Sequence, residues 1–174
     1  MAAHSPIMKD VIAKAKAGTA VLGVCNGFQM LCETQLLPGV LMRNASLKFV
    51  CRDVHLRVDN AGTMYTNRYK KGDVAKVIVA HGDGNYFADS DTLDRLEGEN
   101  RVAFRYCDAA GKLNDAANPN GSQRHIAGIL DVSGRILGMM PHPENACEPA
   151  LGSTDGLAMF ESIVHALVAT ERAA

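Results

Sequence analysis

The sequence predicts an α/β protein with a mixed, largely parallel sheet flanked by helices. Three observations lead there. An apolar run without polar alternation, Thr19 to Val24, suits a strand covered on both faces, and a glycine-framed cysteine carries it straight into a helical stretch. Further strand patterns follow, separated by short helical segments and glycine-rich turns. A helical stripe of apolar residues closes the chain.

The elements follow in order. Ser5-Pro6 supplies an N-cap and a first-turn proline for an opening helix, with Ile7, Val11, Ile12 and Ala15 on one face and Gly18 as its stop. After the strand at Thr19 to Val24, the stretch from Phe28 to Leu36 is helical and ends at Pro38-Gly39. From Phe49 to Val58, Val50, Val54, Leu56 and Val58 face one way, while Asp53, His55 and Arg57 face the other; Asn60-Ala61-Gly62 then turns the chain. Val74 to Ala80 is a strand running into the loop His81-Gly82-Asp83-Gly84-Asn85. A short helix over Ser90 to Leu96, a strand over Arg101 to Cys107 and a polar loop over Asn114 to Ser122 come next. Ile126 to Asp131 and Arg135 to Met140 flank Ser133-Gly134 as a hairpin. The last helix is capped near Ser153 or Thr154 and places Phe160, Ile163, Val164, Leu167 and Val168 on one stripe.

At 174 residues the chain reads as one domain over 1–174, large enough for a real core. Apolar residues make up 47% and charged residues 21%, with a net charge of −1, so no basic field invites nucleic acid. No stretch approaches the roughly 18 apolar residues of a membrane span, and Lys9, Lys14 and Lys16 interrupt the first apolar positions, which argues against a signal core. A cytoplasmic location without a membrane partner is the expectation. The five cysteines, at 25, 32, 51, 107 and 147, are scattered and form no C-x-x-C pair, so free thiols are expected instead of a disulfide framework or a zinc site.

Chemistry concentrates at Cys25. G-V-C-N-G at a strand-to-helix junction is the cysteine form of a nucleophile elbow, in which Gly23 and Gly27 let the chain turn sharply and expose the side chain. The helix N-terminus favours thiolate over thiol, and the Asn26 amide points where an oxyanion would form. The alternative is a small buried hydrophobe. A thiolate needs a proton carrier. In His142-Pro143-Glu144, an extended backbone would place His142 and Glu144 on one side, so that Glu144 orients the imidazole while its other nitrogen faces Cys25. A proline-bounded loop with solvated side chains is the plainer reading. His81 competes as a base, although a loop histidine contacting solvent or a partner is the expectation for it. His4, His55, His125 and His165 belong to no constellation and read as surface or packing residues; a metal site gathering His142, Cys147, Cys107 and Asp83 has no support in their spacing.

With Cys25, His142 and Glu144 in that order, the chain resembles the class I glutamine amidotransferases. R-N-A-S-L-K-F-V-C-R-D-V (43–54), A-H-G-D-G-N-Y (80–86), N-P-N-G-S (118–122), M-M-P-H-P-E (139–144) and L-G-S-T-D-G (151–156) extend the likeness to the glutaminase subunits of phosphoribosylformylglycinamidine synthases. The resemblance implies a catalytic Cys25, His142 and Glu144, an oxyanion donor at Asn26, and a glutamine-binding role for Gln29 and for Asn44, Ser46 and Phe49. It implies ammonia passed to a large ATP- and magnesium-using synthetase subunit beside a small bridging subunit, with no cofactor in this chain. The polar loops 82–85 and 114–122 are the expected interface. Two departures stand out. Asn145 and Asp83 replace the arginine and glutamate common in the family. The strands and proline-glycine-glycine loop that usually precede the first helix have no counterpart here, and that loop supplies a second oxyanion amide. Expected consequences are an exposed sheet edge at 19–24, poor solubility, and low or absent activity for these 174 residues alone, since one lost donor costs on the order of 10²- to 10³-fold. Rival readings are a catalytically idle assembly module and a cysteine hydrolase or peptidase on a related elbow.

Overall fold

A computed structural model describes residues 5–171. The first helix, α1 (Pro6–Lys16), is capped by Ser5, whose hydroxyl accepts from the Met8 amide at 3.4 Å. Its inner face is rotated from the expected one: Met8 and Ala15, seven residues apart and so on one side, are buried, while Ile7 is 67% exposed. Strand β1 (Val21–Val24) then leads through Cys25 into α2 (Asn26–Glu33). Next come β2 (Val40–Met42), β3 (Val50–Val58), β4 (Val74–His81), β5 (Asn85–Phe87), α3 (Ser90–Gly98) and β6 (Val102–Cys107). The hairpin strands β7 (Ile126–Leu130) and β8 (Ile136–Met139) and the helix α4 (Leu157–Glu171) complete the order.

Six strands form one sheet in the order β1-β8-β7-β6-β3-β4, and β2 pairs with β5 in a separate antiparallel ribbon. The sheet is mixed, as expected, but its balance is antiparallel: β1 and β8 run parallel, and the remaining neighbours run antiparallel. The cause is local. β7 returns as β8 across residues 131–135, far too short for the crossover that a parallel neighbour requires. The β1 strand lies at the edge of the sheet, as expected, hydrogen-bonded among the described strands to β8. It is less covered than its apolar run suggests: only Gly23 in it is fully buried.

Two apolar clusters flank this sheet. One gathers Val54, Leu56, Val58, Val77, Val79, Tyr106, Leu137 and Met139 and receives Met159 of α4. The other gathers Phe28 and Leu31 of α2 with Leu37, Tyr86, Leu93, Leu96, Ile126, Ile129 and Ile136. The inner face of α4 is carried by Met159 and Ser162, with Ile163 packed on the core; Val164, Leu167 and Val168 of the expected stripe face outward at 60%, 45% and 41% exposure. Ser162 is satisfied in its buried place by accepting the Arg68 amide at 2.9 Å and donating to the Ala158 carbonyl at 2.7 Å. Among the described residues no helix is long and apolar enough to cross a membrane.

Candidate active site

The elbow forms because two strands leave room for a helix. Gly23 and Gly138 are register partners on β1 and β8. A Cβ on Gly23 would lie 2.5 Å from Leu31 Cδ1 and 2.8 Å from the backbone of Gly27, and one on Gly138 would lie 2.2 Å from the Phe28 ring. The two bare positions form a trough in which α2 rests directly on the sheet. Phe28 is also stacked on Tyr86 at a centroid distance of 5.8 Å, which anchors the helix further. A Cβ on Gly27 would meet no atom within 4 Å, so of the two framing glycines Gly23 is the sterically required one.

The turn itself falls on Cys25, whose φ of 51° and ψ of −105° lie outside the ordinary regions for a side-chain-bearing residue. Its amide donates to the Met139 carbonyl at 2.8 Å, tying the strained residue to β8. The half-buried thiol donates to the Ala80 carbonyl at the end of β4, with Sγ and O 3.8 Å apart. Asn26 opens α2, where backbone amides have no intrahelical acceptor, so its N–H is available beside the sulfur.

His142 reaches the site by a different backbone route from the expected one. The H-P-E segment is not extended: His142 forms an isolated bridge with Ile78 of β4, donating its amide to the Ile78 carbonyl at 2.9 Å, and Pro143–Ala146 is a 3-10 turn. The turn nevertheless brings Glu144 Oε1 to 2.6 Å from His142 Nδ1. The other nitrogen, Nε2, is buried without a hydrogen-bond partner. The His142 pKa is raised from 6.5 to about 9. Interaction with Cys25 is the largest cause, partial burial opposes it, and the hydrogen bond and charge of Glu144 add to it. Together these place the two groups near one another, with the thiol turned to Ala80 and Nε2 without a hydrogen-bond partner.

Gly156 holds this turn in place. Its amide donates to Ala146 O at 2.8 Å, and a Cβ there would lie 2.1 Å from Pro143 O. The sequence signals this residue only through its place in L-G-S-T-D-G.

The remaining candidates are distributed around the same region. Gln29 is half-buried; its Nε2 donates to Asp83 O at 2.7 Å and its Oε1 accepts from Asn26 Nδ2 at 2.9 Å. Asn44 is fully buried and its amide is used internally: Nδ2 donates to the carbonyls of Lys48 and His81, and Oδ1 accepts from the Gly84 amide. Ser46 is exposed, with its hydroxyl accepting from the Lys48 amide at 3.3 Å, and Phe49 is 67% exposed beside Gly82. His81 is not a solvent-facing loop residue. It ends β4, is 3% exposed and is hydrogen-bonded through both ring nitrogens, because the loops on either side close over it. Asn120 and Ser122, expected on an exposed polar loop, are also buried. His55 is half-buried, His125 lies 3.8 Å from Asp115, and His165 is exposed; His4 lies outside the described residues. Cys32 and Cys107 are buried and their thiols are pushed up by that burial, to about 12 and about 11. Among the described residues no group of three or more His, Cys, Asp or Glu side chains is placed to hold a metal.

A strained cysteine at a helix N-terminus, beside an imidazole hydrogen-bonded to a carboxylate, is an arrangement suited to nucleophilic thiol chemistry. Residues 2–160 match the CobB/CobQ-like glutamine amidotransferase domain, and the chain belongs to that family. More particular likenesses sharpen this. Phosphoribosylformylglycinamidine synthase subunit PurQ of Rhodospirillum rubrum is 60% identical over 167 residues, which span 96% of this chain and 73% of that protein. The subunit of the same name from Nitrobacter hamburgensis is 57% identical over 174 residues, 100% of this chain and 73% of that protein. Among solved structures, the PurLQS complex of Thermotoga maritima contains a chain that superposes with a TM-score of 0.83 at 38% identity, covering 95% of this chain and 70% of that one. A glutamine amidotransferase of Thermotoga maritima, at 17% identity and a TM-score of 0.51 over 78% of this chain and 45% of that one, shares the fold.

Proposed function

We propose that this chain is the glutaminase subunit of a phosphoribosylformylglycinamidine synthase, releasing ammonia from glutamine for a partner that amidates formylglycinamide ribonucleotide in purine biosynthesis. The observation that carries the reading is the His142 imidazole, held at Nδ1 by Glu144 at 2.6 Å and bare at its buried Nε2 beside Cys25. The relatives named as phosphoribosylformylglycinamidine synthase subunits support the complex, and the matching glutamine amidotransferase domain supports glutamine as the substrate.

In this mechanism the Cys25 sulfur leaves Ala80 O, passes its proton to His142 Nε2 and attacks the side-chain amide carbon of glutamine. The oxyanion that forms is stabilised by the Asn26 N–H. His142 returns the proton to the amide nitrogen, the C–N bond breaks, and ammonia departs, leaving a glutamyl thioester on Cys25. His142 then takes a proton from water, whose oxygen attacks the thioester carbon. Collapse of the second tetrahedral species releases glutamate, and Cys25 is regenerated. Gln29, Ser46 and Phe49 belong to the walls against which glutamine is placed, and the buried Asn44 acts only through the loops it fixes. By this reading the chain uses no cofactor of its own. ATP and magnesium serve the large synthetase subunit, and a small bridging subunit completes the complex in the cytoplasm.

The test is a glutamine analogue bearing a diazoketone. It should form a mass adduct on Cys25 in the chain assembled with its synthetase, and Cys25→Ala should abolish both adduct and ammonia release. Absence of both from the assembled wild-type protein would overturn the proposal.

A further inference from the structure

We propose that His81 is the positioning residue of this site: its buried imidazole, gripped by Asn44 on one side and Asn120 on the other, sets residues 80–84 against Cys25 and Gln29. The inference rests on the glutaminase reading and adds a residue that neither touches glutamine nor transfers its proton.

The hydrogen-bond pattern fixes the tautomer. Asn44 Oδ1 lies 3.1 Å from His81 Nδ1, and the Asn44 amide is oriented independently because its Nδ2 donates to the Lys48 and His81 carbonyls at 2.8 and 2.9 Å. Nδ1 therefore carries the proton. Asn120 is oriented in the same way, since its Oδ1 accepts from the Ser122 amide at 3.0 Å and the Ser122 hydroxyl at 2.7 Å. Its Nδ2 faces His81 Nε2 at 3.3 Å, so Nε2 accepts, and the ring is neutral. Burial first, and the neighbouring His142 charge after it, lower the His81 pKa and keep it so.

The ring joins three segments that lie far apart in sequence. Asn44 also accepts the Gly84 amide at 3.0 Å and donates its own backbone N–H to Gly82 O at 2.9 Å. Gly84 lies flat on the imidazole, where a Cβ would fall 2.4–2.7 Å from the ring atoms. On the far side Asn120 continues to the buried Tyr106 hydroxyl at 3.2 Å. Two carbonyls of the segment so held face the elbow: Ala80 O takes the Cys25 thiol, and Asp83 O takes Gln29 Nε2 at 2.7 Å. His81 lies between them in the chain. Losing the ring frees the backbone that spaces the nucleophile from the helix face beside it.

The experiment compares wild type, His81→Ala and His81→Asn, each assembled with the synthetase. His81→Asn keeps a donor near the Nδ1 position for Asn44 and gives up the reach to Asn120. Two reagents read Cys25: iodoacetamide, which needs only an accessible thiolate, and the diazoketone analogue, which needs the shaped site. His81→Ala should raise the KM for glutamine roughly tenfold and slow analogue labelling to match, the size expected for two lost hydrogen bonds. Alkylation by iodoacetamide should stay within about twofold, and His81→Asn should fall between. If His81→Ala does not fold, the same split between reagents in His81→Asn carries the test. A KM within about twofold of wild type in a folded variant, or equal slowing with both reagents, overturns the inference. A wild-type complex alkylated by iodoacetamide yet unreactive toward both glutamine and its analogue overturns the glutaminase reading instead, and the positioning role falls with it.

Discussion

Replacing Glu144 by glutamine isolates the charge on the orienting group. The amide keeps the shape of the carboxylate and can still accept at the oxygen now 2.6 Å from His142 Nδ1. What it loses is the difference between a charge-assisted hydrogen bond, about 1.5–3 kcal/mol, and a neutral one, about 0.5–1.5 kcal/mol. The Glu144 side chain is 46% exposed, so solvent screening holds that difference near its lower end, about 1 kcal/mol, which is roughly a fivefold fall in kcat/KM at neutral pH. The pH profile is the sharper readout. His142 has its pKa raised from 6.5 to about 9, so the imidazolium, which on the glutaminase reading protonates departing ammonia, persists below about 9 and is lost above it. Removing the Glu144 charge must move this alkaline limb to lower pH. The same sign governs stability: the contribution of the raised pKa is full below 6.5 and vanishes as pH rises through about 9, so the two proteins should differ in Tm at about pH 6 and converge at about pH 10. Ammonia release followed across that range measures the limb. An alkaline limb unmoved in Glu144→Gln, with a neutral rate within twofold of wild type, would refute the assignment of Glu144 as orienter.

Two glycine substitutions separate steric need from sequence pattern. Gly23→Ala places a methyl 2.5 Å from Leu31 Cδ1 and 2.8 Å from the Gly27 backbone, and should cost about 1–3 kcal/mol, seen as a fall of several degrees in Tm. Gly27→Ala meets nothing within 4 Å inside a helix and should hold Tm or raise it by the equivalent of about 0.5–1 kcal/mol; equal losses from the two variants would contradict the trough. Gly156→Ala sets a Cβ 2.1 Å from Pro143 O and must shift the H-P-E turn, so glutamine turnover should drop on the order of 10²-fold. Wild-type turnover from that variant would show that the turn is anchored elsewhere.

The elbow is legible in the sequence because glycine is informative: few positions need a missing side chain, and G-V-C-N-G puts one where β1 meets α2. The pairing of His142 with Glu144 is legible for a weaker reason. Residues two apart meet in an extended segment, yet here they meet across a 3-10 turn after a single bridge to Ile78, so the pair forms on a different backbone from the one that suggests it. The polar interior is not legible at all. Asn44, His81, Asn120 and Ser122 belong to stretches rich in Gly, Asn, Asp and Pro, the composition of exposed loops, and local polarity carries no record of partners 36 to 39 residues away. A buried polar group is stable only when its hydrogen bonds are met, so these loops fold inward as a set or not at all. Cys25 is fixed by close packing of glycines, whereas the loop opposite it is fixed by hydrogen bonds among polar side chains. Perturbing the first should read out mainly in stability, and perturbing the second in the affinity for glutamine.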